Sequence, residues 1–137
     1  MSVLLDAFAL IALLTDEPAA DDVEALLRRG DAAITAVNLA EALDVLQRVQ
    51  KIPRERVEAL AVPLVEERMK LVAIDLEIAR AAAGIRARRY HRARAPLSLA
   101  DCILLAATGG SDTLATADEP LIHAARAERR HVIELPR

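Results

Sequence analysis

The sequence predicts an α/β fold built on a mostly parallel sheet of about five short strands flanked by helices. Three observations carry that expectation. Apolar runs of strand length alternate with longer Ala/Leu-rich stretches of helical length, and such alternation implies right-handed crossovers between parallel strands. No repeat, low-complexity tract or linker divides the chain, so residues 1–137 are expected to form one domain. Acidic residues recur where strand should give way to helix, and in open parallel sheets functional groups gather outside the carboxyl ends of the strands.

Strands are expected at 3–5, 33–35, 71–74, 113–115 and 132–135. The first helix, 8–14, is apolar on nearly every side and closes at Thr15-Asp16-Glu17-Pro18, which offers a cap and an early proline to a second helix that Gly30 stops. In a helix over 39–49, Leu39, Leu43 and Leu46 mark one face at helical spacing. Pro53 opens a helix to about residue 70. Asp75 caps a long helix to Tyr90, with Pro96 marking the end of the basic segment that follows. A helix around Asp101 ends at Gly109-Gly110, and Ser111-Asp112 completes the turn into the next strand.

Apolar residues make up 54% of the chain, enough for a core, yet no run reaches the roughly 18 residues of a membrane span. The first residues lack a basic segment and meet Asp6 at once, so a signal peptide is not expected and a cytoplasmic protein is. The lone Cys102 lies in an apolar helix and reads as packing. A net charge of −3 does not announce a nucleic-acid binder, and one Phe, one Tyr and no Trp leave few platforms for base stacking. Cations cluster instead at Arg86, Arg88, Arg89, Arg92 and Arg94. Such a run either contacts phosphates or finishes a helix whose dipole favours cations.

Asp6, Glu41, Asp101 and Asp118 are the candidate site. Each has a plain structural reading. Asp6 and Asp118 can cap helices, Asn38-Leu39-Ala40-Glu41 looks like a capping box, and Ser98-Leu99-Ala100-Asp101 is its aspartate form. Asp101 tips the balance. Its neighbours leave no polar face, so the helix should be buried, and a buried carboxylate needs a cation, donors or both. No Lys or Arg lies within a helical turn. If the four carboxylates converge they repel one another, and a hard divalent ion such as Mg²⁺ or Mn²⁺ relieves that repulsion through oxygen ligands.

The order Leu-Leu-Asp6, Thr35-Ala36-Val37-Asn38-Leu39-Ala40-Glu41, Ser98-Leu99-Ala100-Asp101 and Leu114-Ala115-Thr116-Ala117-Asp118 resembles the PIN-domain family, in particular VapC-type toxins of toxin–antitoxin pairs. The resemblance covers essentially the whole chain. It implies a metal-dependent endoribonuclease whose acidic quartet is Asp6, Glu41, Asp101 and Asp118, with Asp6, Asp101 and Asp118 holding the metal and Glu41 acting through water. Thr116 matches a hydroxyl common in the family's last motif. It also implies an RNA substrate, a homodimer and a groove for an antitoxin segment. Family members often carry Ser or Thr just after the first Asp, where this chain has Ala7 and Phe8. Two rivals stand beside this reading. One is a PIN-like binding module without useful activity. The other is a receiver- or phosphatase-like Mg²⁺-binding α/β protein, although such a protein would carry an acidic neighbour near Asp6.

Overall fold

The computed structural model describes residues 1–137. In chain order it comprises β1 (Val3–Leu5), α1 (Ala7–Leu14), α2 (Ala20–Arg28), β2 (Ala32–Thr35), α3 (Ala36–Asp44), α4 (Arg54–Arg68), β3 (Lys70–Val72), α5 (Leu76–Arg89), α6 (Leu99–Ala107), β4 (Thr113–Thr116), α7 (Glu119–Ala127) and β5 (His131–Glu134). Between α3 and α4 the helix continues as a π-helical turn, Val45–Val49.

All five strands are parallel, in the order β3-β2-β1-β4-β5. Leu5 stands beside Ile34 on one side and Ala115 on the other. The chain therefore builds outward from β1 to β3, returns, and builds the other way through β4. The crevice between β1 and β4 is the point where strand order reverses, the preferred place for a site in open α/β sheets. A receiver-like sheet would run 2-1-3-4-5, so the observed order departs from the receiver form of that rival.

Alternation along β1 supplies both layers of the core. Val3 and Leu5 join a cluster with α1 and α2, including Leu10, Val23 and Leu27. Leu4 faces the other way and packs with Leu104 and Leu105 of α6 and Leu121 of α7. Burial on both faces explains why β1 and β2 read as unbroken apolar runs, while the edge strands β3 and β5 stay partly exposed. The apolar first helix belongs to this core, with Ala7, Ala9, Leu10 and Ala12 buried. Cys102 is fully buried, as packing requires. No helix is long and apolar enough to cross a membrane.

Two local expectations need correction. Thr15-Asp16-Glu17-Pro18 does not cap α2. It closes α1, where the Thr15 amide and hydroxyl both donate to the Ile11 carbonyl and Asp16 turns the chain at φ 54°. Asp residues tolerate that left-handed backbone. Ala19 starts α2 with no side-chain cap, and Asp21 and Asp22 complement the helix dipole instead. The helix carrying Glu41 begins earlier than its leucine spacing suggests. Its cap is Thr35, whose hydroxyl oxygen accepts from the Asn38 amide, so Asn38 is buried in the first turn. Gly30 ends α2 as expected, at φ 82°.

Candidate acidic site at the carboxyl ends of the strands

Asp6 is the most enclosed of the four acids, only 6% exposed. It follows β1 directly and caps α1, where one carboxylate oxygen accepts from the Ala9 amide at 2.9 Å. The other accepts from the Thr116 hydroxyl at 2.5 Å. Burial pushes its pKa up from 3.8 to about 6 against the pull of both hydrogen bonds, and the charges of Asp101 and Asp118 push the same way. Thr116 ends β4, the strand paired with β1, so sheet register places its hydroxyl against Asp6. The same oxygen accepts from the Asp118 amide at 3.1 Å. One hydroxyl thus ties the first acidic position to the last across the β1–β4 crevice.

Asp118 caps α7, accepting from the Leu121 amide at 3.1 Å, and remains half-exposed. The Arg137 guanidinium stands 3.8 Å from its other oxygen. Asp101 is the third residue of α6 and closes a complete capping box with Ser98. Here the sequence expectation is corrected in part. The helix has an open edge, with Leu99 53% exposed, and Ser98 supplies the donors that Asp101 needs as a cap. Burial, and then the Asp118 charge, still raise the Asp101 pKa.

Glu41 comes from α3, which packs against α6. Its side chain reaches solvent, yet partial desolvation and the Asp101 charge raise its pKa. The expected capping box at Asn38–Glu41 is absent, because Thr35 takes the cap. The Asn38 side chain instead stands near enough to the Glu41 carboxylate to oppose the upward shift.

The four acids therefore form one electrostatically linked group, from Glu41 through Asp101 to Asp6 and Asp118. Asp6, Glu41 and Asp101 make no ion pair with any Lys or Arg. The donor chemistry, oxygen only and mutually repelling, suits a hard divalent ion. The side chains as they stand bring no three His, Cys, Asp or Glu groups together as metal ligands. Asp6, Asp101 and Asp118 each spend one carboxylate oxygen on a helix cap.

The basic segment divides by role. Arg86 donates to the Leu97 carbonyl and lies over the Tyr90 ring at 4.5 Å, which fixes the loop after α5. Arg88 and Arg89 pair with Glu128, at 3.0 and 2.6 Å, clasping α5 to the end of α7. That clasp was not legible in sequence, because Glu128 lies 39 residues beyond Arg89. Arg92 and Arg94 form no ion pair. Arg88, Arg89 and Arg94 join Glu119 and His123 around a cleft of about 450 Å³, which reaches the residue after Asp118. All three histidines are exposed, and His91 Nδ1 accepts from the Ala93 and Arg94 amides to shape the arginine loop.

Comparison with known proteins agrees with this architecture. The chain resembles VapBC2 from Rickettsia felis, solved with a DNA fragment from its promoter, at 16% identity and TM-score 0.73 over 99% of this chain and 100% of that one. DNA-bound VapBC from Salmonella typhimurium aligns at 15% identity and TM-score 0.74 over 98% of each chain. FitAcB from Neisseria gonorrhoeae aligns at 24% identity and TM-score 0.69 over 96% of each. These likenesses concern the fold. No curated protein matches the sequence. The PIN domain model matches residues 3–127, nearly the whole chain, and the protein belongs to the PIN-domain family.

Proposed function

We propose that this protein is a metal-dependent endoribonuclease and the toxin of a type II toxin–antitoxin pair. The observation that carries the proposal is the acidic group at the β1–β4 crevice. The charges of Asp101 and Asp118 raise the cost of ionising Asp6, and that of Asp118 the cost of ionising Asp101, with no Lys or Arg paired to Asp6 or Asp101. An arrangement so costly without a cation is readily explained by binding one. Asp6, Asp101 and Asp118 would hold Mg²⁺ or Mn²⁺, with Glu41 acting through water. When bound, the ion supplies charge that offsets the developing charge on a phosphodiester and makes nearby water easier to ionise.

The chain's own groups account for the remaining work. Thr116 fixes the Asp6 carboxylate and the Asp118 backbone relative to each other. Glu41, with its raised pKa and solvent access, would take a proton from an attacking water. No histidine lies among these acids to accept the ribose 2′-hydroxyl proton, so water attack and 5′-phosphate, 3′-hydroxyl ends are expected. The cleft beside Asp118 would receive RNA phosphates through Arg94, with the exposed Arg92 in the same loop and Arg88 and Arg89 balanced by Glu128.

An apolar cleft of about 220 Å³ between α3, α4 and β3, lined by residues including Leu39, Leu43, Val65 and Leu71, suits an antitoxin's apolar segment. The solved VapBC and FitAcB structures lend support by fold. Homodimerisation would cover further apolar surface, such as Leu76. A catalytically weak binding module is the second reading, favoured by the carboxylates' engagement in helix caps. Incubating a labelled single-stranded RNA with Mg²⁺ separates the two. The nuclease reading expects cleavage that chelator stops and Asp101→Asn abolishes. Intact RNA with well-folded parent protein would favour the module.

A second test addresses the arginines. Replacing Arg92 and Arg94 with Gln should weaken RNA binding and flatten its log–log salt dependence by roughly 0.7 per lost phosphate contact. Melting temperature should stay nearly unchanged, since neither residue forms an ion pair. The slope is read by titrating RNA in chelator over a range of salt, and an unchanged slope would place these arginines on idle surface.

A further inference from the structure

We infer that Asn38 is a positioning residue for Glu41, locked by the buried Thr35 hydroxyl so that its amide NH₂ faces the Glu41 carboxylate. The inference rests on the nuclease reading only for what Glu41 does once positioned.

The geometry fixes which way the amide points. Thr35 and Asn38 are both essentially excluded from solvent, at 0% and 1% exposure. The Thr35 oxygen already accepts the Asn38 backbone N–H at 3.0 Å. Its own proton then needs an acceptor, and Asn38 Oδ1 lies 2.5 Å away. Flipping the amide would place NH₂ against that oxygen and leave the buried hydroxyl proton without a partner, a costly arrangement. With Oδ1 held by Thr35, the NH₂ end is directed away from it. Glu41 lies three residues further along the same helix, a spacing that makes side chains neighbours. The Asn38 side chain favours the ionised Glu41 carboxylate against the push of burial and Asp101, as an NH₂ turned toward it would.

Thr35 therefore does two things at once. Its oxygen caps α3 and its proton orients the side chain that steers Glu41. A cap alone would be served by any acceptor at position 35. Only a group that also donates can set the Asn38 amide.

The test reads Asn38 directly, in the full-length chain without metal or RNA. In ¹⁵N spectra the Asn38 side-chain NH₂ should give resolved, slowly exchanging signals. Glu41→Ala should shift them, Thr35→Val should speed their exchange with water, and Thr35→Ser should preserve the parent behaviour. In the RNA cleavage assay, Asn38→Leu should lower kcat by about 10- to 100-fold, the range for outer-shell partners, with KM and Mn²⁺ affinity little changed. Signals indifferent to Glu41→Ala would overturn the inference, as would a kcat unaffected by Asn38→Leu in a folded protein. If the parent cleaves no RNA, the nuclease reading fails, while the NH₂ signals still decide whether Asn38 holds Glu41.

Discussion

Asp6→Asn is expected to give a protein that is more stable than the parent at neutral pH without metal, and inactive. The folded Asp6 pKa, about 6, lies above its ordinary 3.8. The fold therefore favours the protonated acid. Below pH 3.8 both folded and unfolded chains carry the proton, and the buried charge costs nothing. As pH rises the unfolded chain ionises first, and above about 6 the folded state bears the full penalty, of about 3 kcal/mol. Asn removes that charge, keeps the size and remains a good N-cap for α1. The gain should be largest near pH 7.5 and shrink toward zero near pH 4, measured by urea unfolding in chelator. Saturating Mg²⁺ should narrow or reverse the gap, because only the parent gains stability from bound ion. A stability difference independent of pH would mean that the Asp6 charge carries no such penalty.

Thr116→Val should act in the opposite direction. The Thr116 hydroxyl stabilises the Asp6 carboxylate and accepts the Asp118 amide. Valine has nearly the same shape and neither capacity, so a buried oxygen and an amide lose their partner. The expected loss is about 1–3 kcal/mol for each group left unsatisfied. It should be greatest above pH 6, because the lost bond favoured the ionised form of Asp6. The Asp6 pKa should climb further above 6, visible by carboxyl-carbon NMR, and Thr116→Ser should restore both. Equal destabilisation at pH 5 and 7.5 would reduce Thr116 to ordinary packing.

The strands were legible because burial on both faces writes unbroken apolar runs, as in Val3-Leu4-Leu5 and Ala32-Ala33-Ile34. Asp75 and Asp118 read as caps and are caps, each accepting an amide three residues on. Position 38 was misread because Asn is a good cap in isolation, whereas Thr35 at the end of β2 reaches the amide first. The leucine spacing located the face of α3 and not its first turn, since Ala36 and Val37 carry no periodic signal. Proximity among Asp6, Asp101 and Asp118 depends on strand order, which no local pattern encodes. The β1–β4 pairing alone sets Thr116 beside Asp6 across 110 residues of sequence. The Arg88/Arg89–Glu128 clasp is hidden for the same reason.

Direct Mn²⁺ binding tests most simply whether these carboxylates form a metal site. Free Mn²⁺ can be followed by its electron paramagnetic resonance signal while titrated into the parent, Asp6→Asn and Asp101→Asn proteins at about pH 7.5. The parent should take up the ion at the acidic pocket. Each variant should bind more weakly, by more than the roughly 10- to 100-fold typical of losing an outer-shell partner, while melting at least as high as the parent in chelator. Equal Mn²⁺ uptake by all three folded proteins would contradict the account, leaving Asp6 and Asp101 as helix caps and nothing more.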